Sequence, residues 1–312
     1  MYIIEEFANS LHFGMDPSRQ IVCRAGCFMI DRARLKECRR VVVKVGTSSL
    51  TYANGRANLK SIDKICRALS DQMNQGYEMI LVSSGAIGIG MGKLRLKCKP
   101  DTIREKQAVA SVGQCELMSL YSRSFSDYNY PVGQILLTRD DIDDGHTRTN
   151  IINTFECLIE KEIIPIVNEN DTVSTREIYH NGTFGDNDSL SAIVAAMIHA
   201  DLLILLSDIS GFYDCDPKTS TCAKLIDTVA TITPEIQSFA GGSGSSRGTG
   251  GMITKLEAAK IATEAGVHMV IASAKDPSVI KNIMNGEKIG TLFVAKQSAV
   301  RSIIREMWHR HC

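Results

Sequence analysis

The first clear pattern along the chain is a short run of β-branched residues, R-V-V-V-K-V at 40–45, followed by glycine. An apolar run of that length and composition suits a strand covered on both faces. From residue 58 the period changes: Ile62, Ile65, Leu69 and Met73 recur at three and four, predicting an amphipathic helix that ends at Gly76. The two periods then alternate. E-M-I-L-V-S predicts a strand, followed by a glycine-rich turn and a helix over 103–121. V-G-Q-I-L-L-T predicts a strand, 150–161 a helix, and I-I-P-I-V-N another strand. R-E-I-Y-H-N-G-T-F predicts a β-hairpin, with Asn181 and Gly182 supplying the positive φ angles of a tight turn. A helix over 189–200 leads into the apolar strand L-L-I-L-L-S. A short strand at 224–229 precedes G-G-S-G-S-S-R-G-T-G-G, the only low-complexity stretch. Beyond it come a helix over 252–265, the strand V-H-M-V-I-A, a helix near Pro277 and a last strand, T-L-F-V.

Strands alternating with helices imply βαβ units. The expected fold is α/β, a three-layer αβα sandwich with a mainly parallel central sheet. Residues 1–38 show no clean period and are expected to be a poorly ordered extension, with structure beginning at the first valine run and one domain spanning 39–312.

Composition narrows the function. Apolar residues make up 44% and charged residues 22% of 312, as in an ordinary globular protein. The formal net charge is zero, so no global field recruits nucleic acid or anionic membrane, and neither is expected as a partner. Ten cysteines without a C-x-x-C pair read as reduced thiols of a cytoplasmic protein rather than a disulfide framework or zinc site. The acidic start M-Y-I-I-E-E does not resemble a signal peptide, and the most apolar segment, 192–206, is broken by His199 and Asp201. The terminal H-R-H-C is read as a frayed tail, and no metal-binding residue set is expected.

In open α/β sheets, ligands bind beyond the carboxyl ends of the strands. The first strand is followed by G-T-S-S, the second by S-S-G-A-I-G, the fourth by N-E-N-D, the hairpin by G-D-N-D, and the strand at 202–206 by Ser207 and Asp208. Five small, glycine-rich or acidic strand ends on one edge suggest a site. Lys44 lies on the first strand itself. An isolated lysine there would be read as an edge-strand residue, yet next to a glycine turn it is also a natural phosphate ligand. The run G-T-G-G-M-I-T-K opens a helix, whose N-terminus favours anions, with Lys255 in the first turn; the bland alternative is a flexible linker. Asp186, Asn187 and Asp188 stand together where one helix cap would suffice. No G-x-x-x-x-G-K-[S/T] or complete G-x-G-x-x-G occurs. Two glycine loops, two lysines and several acids point to phosphoryl transfer, which depends on positioning and charge neutralisation.

Eight segments then occur in order: V-V-V-K-V-G-T-S-S-L-T, L-V-S-S-G-A-I, K-Q-A-V-A-S-V-G-Q, Q-I-L-L-T-R-D-D, I-V-N-E-N-D, F-G-D-N-D-S-L-S-A, L-L-S-D-I-S-G-F-Y and G-T-G-G-M-I-T-K. Together they resemble the glutamate 5-kinases (γ-glutamyl kinases) of the amino acid kinase superfamily, over about residues 40–293. The resemblance implies transfer of the γ-phosphate of ATP, with Mg²⁺, to the γ-carboxylate of L-glutamate, in the first step of proline biosynthesis. It implies that Lys44 and Lys255 contact the transferring phosphate and that Asp188 orients them. Ser84, Asp171 and Asn187 match the positions that hold glutamate. Lys44, Gly46, Ser207 and Asp208, with Thr249, Gly250, Gly251, Met252, Ile253, Thr254 and Lys255, match ATP-binding positions.

The attacking group would already be a carboxylate, so no general base is needed, and His146 and His180 are read as surface loop residues. Further implications are inhibition by proline, a homodimer or homotetramer, and a separate glutamyl phosphate reductase. The C-terminal PUA domain of many bacterial relatives is not expected in a sequence ending at Cys312. Rival acceptors within the superfamily are N-acetylglutamate, carbamate and uridylate. A rival of a different class is an amino-acid sensor on the same fold, which would keep the acceptor residues but have no need of the lysines.

Overall fold

In β1, Arg40–Val45, every residue after the first is buried, so the strand is covered on both faces as its valines require. The computed structural model describes residues 32–52, 54–173, 187–217, 220, 222–241 and 250–296. Among these, the strands form one eight-stranded sheet. The strands are β1, β2 (Glu78–Ser83), β3 (Val132–Leu137), β4 (Ile164–Glu169), β5 (Leu202–Ser207), β6 (Thr228–Val229), β7 (His268–Ser273) and β8 (Thr291–Phe293). Their order is β3-β4-β2-β1-β5-β7-β8-β6, and every neighbouring pair is parallel except β7 with β8.

Alternate side chains of β1 divide the core. Val41, Val43 and Val45 pack with Ile62, Ile65 and Leu69 of helix Leu59–Met73 and with Leu117, Tyr121 and Phe125 of helix Ile103–Ser126. Val42 faces the other way, toward Phe155 of helix Gly145–Glu160, Ala192 and Val194 of helix Asn187–Met197, and Ala258 and Ala262 of helix Gly250–Glu264. Helices thus cover both faces, and the three-layer αβα sandwich with a mainly parallel sheet is the observed fold. Within the sheet, β1 pairs with β2 on one side and β5 on the other, so the chain leaves its centre in both directions. That is the kind of crevice where such folds bind ligands.

Several local expectations change. The glycine-rich turn after β2 is a helix, Ala86–Leu94. Its glycines admit a neighbour: a Cβ on Gly90 would overlap the Val109 carbonyl oxygen, and one on Gly113 would overlap that of Ala86. The two helices therefore meet backbone to backbone, and the glycines are there for packing rather than for turning. The helix read at 150–161 begins earlier, at Gly145, capped by Asp144, and it takes His146 out of the expected loop, although that side chain remains exposed.

Structure also begins before Arg40. A 3₁₀ turn at Arg32–Glu37 buries Arg32 and Leu35, and the Arg32 guanidinium donates to the carbonyls of Asp227, Ile289 and Gly290. The helix Pro234–Ala240 carried no sequence expectation. The predicted hairpin, Asp186, His180, Thr249, the terminal H-R-H-C and most of residues 1–38 lie outside the described residues.

Candidate active site

The register of the parallel strands brings their carboxyl ends to one level. Val45 of β1 lies beside Ser83 of β2 and Leu206 of β5, and Val82 lies beside Val167 of β4. The next residues along each strand, Gly46, Ser84, Ser207 and Asn168, therefore border one crevice. Lys44 points to the same side of the sheet as Val42, toward helices Asn187–Met197 and Gly250–Glu264. It is on the central strand and 6% exposed, so the edge-strand reading does not hold.

Asp188 joins the two lysines. It stands fully buried in the first turn of its helix, where the backbone dipole favours an ionised carboxylate. One oxygen, Oδ1, lies 2.6 Å from Lys44 Nζ, and Oδ2 accepts a 2.9 Å hydrogen bond from Lys255 Nζ. Taking charges out of water is costly, and a triad survives only when the attraction and hydrogen bonds are well placed. Lys255 Nζ also donates to the Gly251 carbonyl at 3.2 Å, which folds the side chain back over the first turn of its own helix. Glycine leaves room above each ammonium. A Cβ on Gly46 would sit 3.8 Å from Lys44 Nζ, and one on Gly251 would sit 4.0 Å from Lys255 Nζ. Two cations tethered by one carboxylate, with small residues above them, form a place for a multiply charged anion.

Next to the lysines lies a second, mostly neutral cluster. Asn187 Nδ2 is within hydrogen-bond distance of Ser84 Oγ (2.9 Å), Asn168 Oδ1 (2.9 Å) and the Ser83 carbonyl (3.1 Å). An amide has two hydrogens for these three acceptors, so one is shared. Asn168 is buried, accepts a further bond from the Glu169 N–H at 2.9 Å, and donates through Nδ2 to Gln114 Oε1 at 2.8 Å. Asp171 follows on the same loop. Its burial, with repulsion from Glu169 added, pushes its carboxyl up to about 6. A carboxylate so disfavoured gains most from an incoming cation.

The structure brings Lys44, Lys255, Asp188, Ser84 and Asn187 into one connected set, with Gly46 and Gly251 over the lysines. Asp171 adjoins through the Asn168 loop. Ser207 ends β5 and donates to Asp208 at 3.1 Å, and Asp208 itself is exposed. Gly250, Met252, Ile253 and Thr254 fill the first turn of the Lys255 helix. Thr254 is buried, while Ile253 is 42% exposed. What Ser207, Asp208 and that turn share with the acceptor cluster is the carboxyl edge of the sheet. Sequence reasoning passed over Asn168 and Gln114 as site residues, although each lies in a segment that was singled out. Only the packing of helix Ile103–Ser126 against the second and fourth strand ends shows what they touch.

The chain matches the amino acid kinase family over residues 39–273. It is 57% identical over 266 residues to a glutamate 5-kinase of Clostridium perfringens, covering 85% of this chain and 99% of that protein. It is 54% identical to a glutamate 5-kinase of Listeria monocytogenes, covering 85% of this chain and 96% of that one. A solved isopentenyl phosphate kinase shares the fold, with a TM-score of 0.57 at 16% identity over 82% of this chain and all of that one. The structural likeness speaks for the fold alone, whereas the sequence identities place the chain in a narrower group. The chain belongs to the amino acid kinase family and, within it, to the glutamate 5-kinases.

Proposed function

We propose that the protein transfers the γ-phosphate of ATP to the γ-carboxylate of L-glutamate, giving L-glutamyl 5-phosphate as the first step of proline biosynthesis from glutamate. The observation that carries the reading is the Lys44–Asp188–Lys255 triad lying beside the Ser84–Asn187–Asn168 cluster. One is suited to a phosphate in flight, the other to a polar acceptor.

In-line transfer spreads negative charge over the equatorial oxygens and the β–γ bridging oxygen. Lys44 and Lys255, held in place before the reaction, supply positive charge there without reorganisation. Asp188 keeps both ammoniums from drifting apart or from binding the acceptor's carboxylate instead. Ser84 and Asn187 orient the acceptor, and Asp171 faces its α-ammonium. The start of helix Gly250–Glu264, with Gly250, Gly251, Met252, Ile253, Thr254 and Lys255, together with Ser207, Asp208, Gly46 and Thr249, forms the nucleotide side.

Mg²⁺ is expected to arrive on the triphosphate. Both oxygens of Asp188 are engaged by lysines, so the nucleotide's phosphates rather than a carboxylate cage would hold it. When bound, the ion would supply charge neutralisation to the phosphates.

An α-ammonium calls for a carboxylate partner, which separates glutamate from N-acetylglutamate. A nucleotide acceptor would call for cations where Asp171 and Asn187 stand. ADP release measured side by side with glutamate, N-acetylglutamate and UMP tests the assignment. Glutamate alone is expected to support it; release with another acceptor and none with glutamate would overturn it. An amino-acid sensor has no use for two lysines, one buried and one largely so, on one carboxylate, so the enzyme reading is favoured. The wider reading includes inhibition by proline, a homodimer or homotetramer, a cytoplasmic location and a separate glutamyl phosphate reductase as consumer of the product. It also takes residues from 39 onward as the kinase domain, following an N-terminal extension. Among the described residues no helix is long and apolar enough to cross a membrane, and the described cysteines are free thiols.

A further inference from the structure

Helix Ile103–Ser126 contributes no residue to the expected substrate contacts, yet two of its polar side chains end beneath them. Gln114 Oε1 accepts from Asn168 Nδ2 at 2.8 Å. Seven residues on, and so two turns along the same helix face, the Tyr121 hydroxyl lies 2.8 Å from Ser83 Oγ. Ser83 Oγ in turn donates to the Ser84 carbonyl at 3.1 Å. A serine hydroxyl has one hydrogen, so Tyr121 must be the donor to Ser83. Tyr121 and Ser83 are both fully buried, and burial pushes the tyrosine hydroxyl up, which keeps it protonated as a donor.

The two contacts have a common consequence. Asn168 can present its Oδ1 to Asn187 only if its own Nδ2 has an acceptor on the other side, and Gln114 is that acceptor. Without it, a buried N–H would be left unpaired, or the amide would turn over and set Nδ2 against Asn187 Nδ2, donor against donor. Tyr121 likewise fixes the peptide that carries Ser84, another partner of Asn187. The helix is held at this depth by the backbone contact at Gly113, the residue next to Gln114, where a Cβ would overlap the Ala86 carbonyl oxygen.

Resting on the proposed glutamate kinase reading, we infer that Gln114 and Tyr121 are positioning residues for the acceptor half of the site, acting through Asn168, Ser83 and Ser84 to set the orientation of Asn187. They govern acceptor affinity and leave nucleotide affinity alone.

The test uses Gln114→Met, which keeps length and volume at a half-buried position, and Tyr121→Phe, which removes one buried hydroxyl. Glutamate binding is measured by calorimetry, independently of turnover, and KM for glutamate and ATP by ADP release. Gln114→Met is expected to weaken glutamate about tenfold, the scale of one unsatisfied buried donor, with ATP KM within about twofold. Tyr121→Phe is expected to act in the same direction by about threefold. In an Asn187→Ala background the Gln114→Met effect should disappear, because a residue acting through Asn187 has nothing left to orient.

Unchanged glutamate affinity in both folded variants overturns the inference. So does a loss that shifts glutamate and ATP equally, or one that adds in full to Asn187→Ala, since each marks a merely structural role. Wild-type protein that binds glutamate without phosphorylating it would remove the proposed reaction but leave this binding test intact. Wild-type protein that does neither removes both.

Discussion

Asp188 gives one oxygen to Lys44 and the other to Lys255, so replacing any one of the three changes the charge felt by the other two. Lys255→Ala leaves Asp188 paired with Lys44 and should fold normally, while kcat falls by about 10²–10³, the scale of one preorganised charge at a transition state. Steady-state kinetics beside a thermal melt checks this; unchanged turnover would refute the role given to Lys255. Asp188→Ala should behave differently, because two largely buried ammoniums would then face each other. It is expected to destabilise the fold by about 3–5 kcal/mol, measurable by urea unfolding.

Asp171 supplies a pH signature. Its carboxyl is pushed up to about 6 by burial and Glu169, so it is protonated below that pH and cannot attract an α-ammonium. Glutamate KM should rise as pH falls through about 6, with no such limb in Asp171→Asn. Asp171→Ala at neutral pH should raise glutamate KM far more than ATP KM, and equal effects would remove the assignment. The stability effect has the opposite sense. Between the ordinary carboxylate range and about 6 the folded state holds this proton more tightly than the unfolded chain, so the contribution to stability is lost as pH rises through that window.

At the scale of elements, the meeting of helices Ala86–Leu94 and Ile103–Ser126 determines where the floor of the proposed acceptor site lies. Gly113→Ala would drive a methyl group into the Ala86 carbonyl and force the helices apart. Its expected cost is about 3 kcal/mol, and urea unfolding would measure it. A variant as stable as wild type would show that the helices have slack here.

Most strands could be read from the chain because each is an apolar run bounded by small or polar residues, and β1, β2 and β5 match their expected limits. The helix at Ala86–Leu94 could not. Glycine at positions 88, 90 and 92 signals a turn in isolation, and only the closeness of Val109 and Gly55 shows why a helix needs it there. Lys44 could be picked out because a lysine interrupts a valine strand, and Asp188 because three polar residues stand where one helix cap would suffice. Gln114 breaks no such pattern. It sits on an ordinary amphipathic helix, and its role depends on a contact 54 residues away in the chain.

For the whole molecule, the site exists because parallel pairing brings the ends of β1, β2, β4 and β5 to one level while the chain leaves β1 in both directions. Alternating periods in the sequence foretell parallel pairing and a binding edge. They do not foretell the strand order, which follows from how helices on two faces fill the core. The fold by itself does not choose the acceptor, since an isopentenyl phosphate kinase shares it at 16% identity. On the proposed reading, the choice rests on the few residues around Asn187. If the enzyme assembles as proposed, sedimentation should give two or four times 34.2 kDa. Proline, as a smaller relative of the acceptor, should compete with glutamate rather than with ATP.

Transfer to a carboxylate makes an acyl phosphate, and hydroxylamine captures an acyl phosphate as a hydroxamate. The most direct measurement is therefore hydroxamate formation with Mg-ATP and L-glutamate, run beside the Lys255→Ala variant. Hydroxamate that depends on glutamate and nearly vanishes in the variant is the predicted result. ADP release without hydroxamate, or no reaction in protein shown to bind glutamate, would contradict phosphorylation of the γ-carboxylate.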